Sequence, residues 1–144
     1  MDTIPIIQGL TNEQFDSILN ICTQRTFSKD SEIYHEGQKS DDMYILTEGI
    51  LQVRVWEKEV NRIFPIRTVG EMGLFTGEPR SATIVAKTDC TLLRITKRGL
   101  FELFEKDKDL HIQFMLGMLY DLSYKLRLTN EIIAKLKAKY EKVR

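Results

Sequence analysis

The spacing of apolar and polar positions divides the chain into three stretches. In the first, Phe15, Ile18, Leu19 and Cys22 recur at helical spacing, and Thr11 with Gln14 three residues on has the form of a capping box. This predicts an amphipathic helix from about Asn12 to Arg25. From Thr26 to Thr96 the pattern changes to short apolar runs with turn punctuation. EIYHEGQKSDD reads as a strand followed by a turn carrying Gly and Asp. MYILTEGILQVRVW reads as two strands hinged at Glu48–Gly49 in a tight hairpin. RIFPIRTV reads as one strand whose Pro65 suits an edge or a bend. RSATIVAKTDCTLLRIT adds two β-branched runs parted at Lys87–Asp89. Many short strands with turns every ~8–12 residues mean a sandwich or a barrel.

The third stretch, Lys97 to Arg144, is helical. Leu100, Phe101 and Phe104 mark a short helix, the DKD run at 107–109 breaks it, and a long helix follows from about Leu110 to the end. Along that helix Ile112, Met115, Leu119, Leu122, Leu126, Thr129, Ile133, Leu136, Tyr140 and Val143 alternate gaps of three and four, the heptad pattern of a coiled coil. At 1.5 Å per residue it is about 45–50 Å long, more than one small domain covers. A second copy of the same helix is the simplest partner, so a parallel two-fold homodimer through residues 110–143 is expected; the alternative is a helix packed along its own barrel. Residues 1–25, 26–96 and 97–144 are read as helix, strand-rich body and C-terminal helices of one domain.

Composition narrows the function. The chain has 144 residues, 42% hydrophobic and 29% charged, which is globular rather than disordered. Lys plus Arg and Asp plus Glu both number 21, so there is no basic excess for gripping nucleic acid by this chain alone. The longest apolar run, Phe114 to Tyr120, is far short of the ~18–20 residues of a membrane span. MDTIPIIQGL lacks a basic residue before its apolar patch, so no signal peptide is expected. Two cysteines, Cys22 and Cys90, are too few for a zinc site and read as reduced thiols in a cytoplasmic protein. His35 and His111 are too scattered for a metal centre, which leaves an enzyme of the metal-binding barrel type unsupported.

The chemistry concentrates in TVGEMGLFTGEPRSATIVA, residues 68–86. Gly70 and Gly73 permit tight turns and close approach to a ligand. EMGLF, including Met72, can form one helical turn whose free N–H groups face an anion. Arg80 offers a rigid fork for two phosphate oxygens, Ser81 a hydroxyl donor, and Ala82 room beside the strand. Glu71 can accept from a ribose hydroxyl.

GEMGLF…PRSATIVA resembles the phosphate-binding cassette of the cyclic-nucleotide-binding domains, found in the bacterial catabolite activator protein family, protein kinase regulatory subunits and cyclic-nucleotide-gated channels. YHEGQKSDDMYILTEGILQV resembles their β-roll, with Gly37 and Gly49 at its turns. The resemblance covers about Phe27 to Leu136. It implies an α+β fold, a jelly-roll β-barrel flanked by an N-terminal helix and a long C-terminal helix. By the same resemblance Glu71 binds the ribose 2′-hydroxyl and Arg80 the exocyclic phosphate oxygens. Backbone N–H groups near Gly73 and Leu74, with Ser81 and Ala82, complete the cradle. KLRLTNEI resembles the segment that covers the purine, so Thr129 and Asn130 reach the base, one of them from the partner subunit. Thr129 is also the one clearly polar member of the apolar stripe, and fixing coiled-coil register is an equal reading. The expected ligand is cAMP, with cGMP as the alternative because the Ser81 hydroxyl can meet a guanine amino group; no cofactor or metal is expected. Two rivals stand beside this regulatory sensor. One is a degenerate domain of the same fold acting as a protein-interaction module. The other is the sensor half of a DNA-binding regulator, although no helix-turn-helix follows before Arg144.

Overall fold

The computed structural model describes residues 7–143; the MDTIPI start, Arg144 and the Val143 side chain lie outside the described residues. Thr11 caps α1 (Asn12–Ile21): its hydroxyl accepts from the Gln14 N–H at 3.2 Å, and the Gln14 side chain accepts from the Thr11 N–H at 3.0 Å. The helix stops at Ile21 rather than Arg25. Residues Thr23–Phe27 instead form β1, where β-branched Thr23 and Thr26 gain a full antiparallel ladder with β8 (Cys90–Thr96).

The remaining strands are β2 (Glu32–Tyr34), β3 (Asp42–Glu48), β4 (Leu51–Val55), β5 (Lys58–Ile63), β6 (Arg67–Val69) and β7 (Thr83–Ala86). They make two four-stranded antiparallel sheets, ordered β1-β8-β3-β6 and β2-β7-β4-β5. With α1 and the long C-terminal helix, this is the jelly-roll architecture expected from the sequence.

Two turns differ from the sequence reading. Glu48–Gly49 is not a hairpin, because β3 and β4 belong to different sheets. Gly49 takes φ +97°, and a Cβ there would collide with Asp89 O and Cys90. The chain crosses from sheet to sheet at this glycine, buttressed by Lys87 N–H donating to Ile50 O at 2.9 Å and Ile50 N–H to Thr88 Oγ1 at 3.0 Å. The tight hairpin is β4–β5, where Trp56 and Glu57 take φ +52° and +66° and match the twist of the flanking strands. RIFPIRTV is likewise not one strand. Pro65 lies between β5 and β6, which sit on the edges of opposite sheets, where its missing N–H costs no ladder bond.

Three helices complete the fold: α2 (Glu71–Thr76), α3 (Lys97–Lys106) and α4 (Lys108–Val143). The break between the last two is Asp107 alone, whose carboxylate accepts from the Leu110 N–H at 3.0 Å. Strand β3 explains how the core is divided. Tyr44 and Leu46 point into the barrel with Leu51, Val69, Ile84, Ala86, Cys90 and Leu92. Met43 and Ile45 point the other way, onto Ile18, Leu74, Leu100, Phe104, Leu110, Phe114 and Met118 of the helices. A strand buried on both faces needs the unbroken apolar run MYIL. On α4 the inner row is thus Leu110, Phe114 and Met118. The heptad positions Ile112, Leu119, Leu126, Ile133 and Leu136 remain exposed.

Candidate functional site

The stretch after β6 turns sharply at Gly70, which takes φ +83° and caps the N-terminus of α2. A Cβ there would overlap the Arg80 guanidinium, whose Nη1 donates to Gly70 O at 3.4 Å. Glycine at this position is what lets the arginine lie against the head of the helix. Gly73, one turn further, packs on Ser40 Oγ just as closely.

Arg80 is held from several sides. Its N–H donates to Gln38 O at 2.8 Å and its carbonyl accepts from the Gly37 N–H at 2.9 Å. Its side chain is 4% exposed, and Nη2 pairs with Asp42. The Tyr34 ring centroid lies 3.9 Å from the guanidinium carbon. Among the described residues Nε is buried without an acceptor. Asp42 opens β3 on the inward face shared by Tyr44 and Leu46. Its second oxygen accepts from Arg94 Nε at 2.6 Å and from the Tyr44 hydroxyl at 3.3 Å. Burial and the adjoining Asp42 carboxylate both push the Tyr44 hydroxyl above its usual range.

Glu71, the first residue of α2, is buried and accepts from Lys125 Nζ of α4 at 2.8 Å. The same ammonium lies 2.8 Å from Asp121 Oδ2, one helical turn earlier. Burial alone would lower the Lys125 pKa, but the two carboxylates reverse this and raise it. Two buried carboxylates therefore share one cation.

The structure brings Gly70, Glu71, Gly73 and Arg80 together around α2. Ser81 and Ala82 follow Arg80 into β7, with Ser81 exposed. Met72 points outward, 48% exposed, and the Leu74 side chain is sealed in the helical core, so the structure groups neither side chain with Glu71 and Arg80. Thr129 and Asn130 are exposed on α4, and the Thr129 hydroxyl donates to Lys125 O at 3.0 Å. Within the described residues neither side chain bonds the cassette. Thr129 does stand one turn beyond Lys125, on the same side of the helix.

Tyr34, Asp42, Asp121 and Lys125 were missed by sequence reasoning. Asp121 and Lys125 carried a readable signal, an acid and a base four residues apart on one helix face. Asp42 lay in a stretch that reads as a turn, and nothing local distinguishes Tyr34 from other strand tyrosines.

The site places a guanidinium beside a glycine turn and a carboxylate on the same short helix. It can take an anion at one end and a hydroxyl donor at the other. A family model described as the cyclic nucleotide-binding domain matches residues 24–107. The cGMP-dependent protein kinase of Plasmodium berghei is 34% identical over 92 residues, 62% of this chain and 11% of the kinase. The cAMP-activated global transcriptional regulator CRP of Salmonella typhimurium is 24% identical over 132 residues, 88% of this chain and 61% of the regulator. The chain thus spans less than two thirds of either relative. A solved cyclic nucleotide-binding domain from Methylobacillus flagellatus superposes with a TM-score of 0.81 at 19% identity, covering 91% of this chain and 80% of that one. Fold, cassette and family match converge on one assignment: the chain belongs to the cyclic nucleotide-binding domain family.

Proposed function

We propose that the chain is a non-catalytic regulatory sensor that binds cAMP in preference to cGMP through Gly70, Glu71, Arg80 and the backbone of Met72–Leu74, with Ser81 and Ala82 beside them. The observation that carries this reading is the buried Arg80 guanidinium at the glycine head of α2, with one N–H lacking an acceptor. A buried donor without a partner is costly, and a phosphate oxygen would satisfy it. Similarity to a cAMP-activated regulator over 88% of the chain supports the choice of cAMP. Thr129 and Asn130 are assigned to the base, one from a partner subunit, which fits their exposure on the outer part of α4. A second copy covering the exposed heptad positions makes the protein a parallel homodimer. The unbridged Cys22 and Cys90 suit a reducing cytoplasm.

Calorimetric titration with cAMP and cGMP tests the reading. Arg80→Lys keeps the buried charge but loses the fork, and is expected to weaken cAMP binding roughly tenfold to hundredfold. No heat and no thermal shift with either nucleotide would favour the degenerate, protein-binding reading. The observation on that side is that Arg80 and Glu71 already have charged partners within the chain.

A further inference from the structure

We infer that Tyr34 is a positioning residue for the phosphate-binding Arg80, setting nucleotide affinity through the face of its ring. The inference rests on the nucleotide reading above. Arg80 follows the Gly77–Pro79 loop, outside any helix or strand. A long side chain leaving a loop has many rotamers, and each one frozen on ligand capture weakens binding. Three contacts from one segment place Arg80, two on its backbone and one on its side chain. Gly37 and Gln38 bond both backbone groups of Arg80, at 2.9 and 2.8 Å. Tyr34, just before that turn on β2, lays its ring against the guanidinium, 3.9 Å from centroid to carbon.

The geometry suits the task. A guanidinium donates only in its own plane, so a ring stacked on its face takes no N–H away. Asp42 grips the arginine at Nη2 and Gly70 O accepts from Nη1, so a phosphate meets Nε without a rival and shares the remaining in-plane donors with both. Tyr34 competes for none of them, and its attraction persists whichever acceptor is present. The backbone that carries the ring is held by strand pairing, since Tyr34 is opposite Ile84 in the β2–β7 ladder. β7 begins three residues after Arg80, so both ends of the contact are anchored to one pair of strands.

Calorimetry with cAMP on the purified full chain decides the matter. Tyr34→Phe keeps the ring and should bind within about twofold of the parent. Tyr34→Leu should bind roughly tenfold more weakly, as expected for loss of a desolvated cation–π contact. Tyr34→Met fills a similar volume without a π face; it is read in the same way and serves if the leucine variant melts below the assay temperature. A merely structural role would penalise both arginine and lysine backgrounds equally. We expect the Tyr34→Leu loss to shrink to about twofold when introduced into Arg80→Lys, whose ammonium cannot stack flat on the ring. Equal affinity of Tyr34→Leu and the parent, or a Tyr34→Phe variant as weak as Tyr34→Leu, would overturn the inference. Failure of the parent itself to bind cAMP would instead overturn the nucleotide reading, and the inference with it.

Discussion

On the proposed reading two acceptors meet at the Arg80 guanidinium: the Asp42 carboxylate, already in place, and the phosphate of a ligand. Asp42 would not be left alone if Arg80 Nη2 passed to the phosphate. Arg94, 2.6 Å from its other oxygen, and the Tyr44 hydroxyl keep it paired. Asp42→Asn should therefore have two opposed effects. Breaking a buried pair costs about 3–5 kcal/mol, so the ligand-free protein should melt earlier. The freed guanidinium should at the same time bind cAMP several-fold more tightly. Scanning calorimetry with and without saturating nucleotide measures both, and weaker binding by the variant would contradict the competition. Arg80 and Glu71 were legible because a glycine-rich turn surrounds them in sequence. Their partners were not, because Asp42 and Lys125 lie 38 and 54 residues away along the chain.

Elements of this fold are placed by where the backbone can cross between sheets. Gly49 and Gly37 both take positive φ, but their surroundings differ: a Cβ at Gly49 meets Asp89 O and Cys90, while one at Gly37 meets nothing. Gly49→Ala should therefore lower stability by about 1–3 kcal/mol or more, and Gly37→Ala by the backbone strain alone. Urea unfolding of the two variants distinguishes steric collision from strain. Short apolar runs between turn residues revealed that strands exist at both 43–46 and 51–55. It did not reveal that they part company at Gly49, because a tight turn and a sheet-crossing corner use the same Glu-Gly pair. The α1 boundary was overrun for a related reason. Cys22 continues the helical spacing, yet the ladder offered by β8 begins at Thr23 and wins.

The whole molecule is divided between a body that covers itself and a helix that does not. Leu110, Phe114 and Met118 hold the first part of α4 against the barrel. Beyond Asp121 and the half-buried Leu122 the helix is exposed on every side up to Lys142, with Leu126, Ile133 and Leu136 among the exposed apolar residues. Sedimentation of the parent should give a dimer, and Leu126→Glu should shift it to monomer while leaving the melting of the barrel nearly unchanged. A parent that sediments as a monomer would remove the coiled-coil proposal. Lys125 stands where the two parts meet, tying the cassette to the outer helix through Glu71. A dimer seam beginning there would place Thr129 and Asn130 of each copy next to the joint.

Local chemistry was enough to determine the capping box at Thr11, the strand-rich middle, the apolar run MYIL, the helical turn after Gly70, and the nearness of Glu71 and Arg80 to that turn. Each depends on residues a few positions apart, where propensity and periodicity act directly. The tertiary structure alone decided the sheet crossing at Gly49, the splitting of RIFPIRTV, the inner row of α4, and the partners of every buried charge. Those choices depend on which surfaces meet after the chain has doubled back. A carboxylate buried beside an arginine is stable only because distant segments close around both, and no local spacing records that closure.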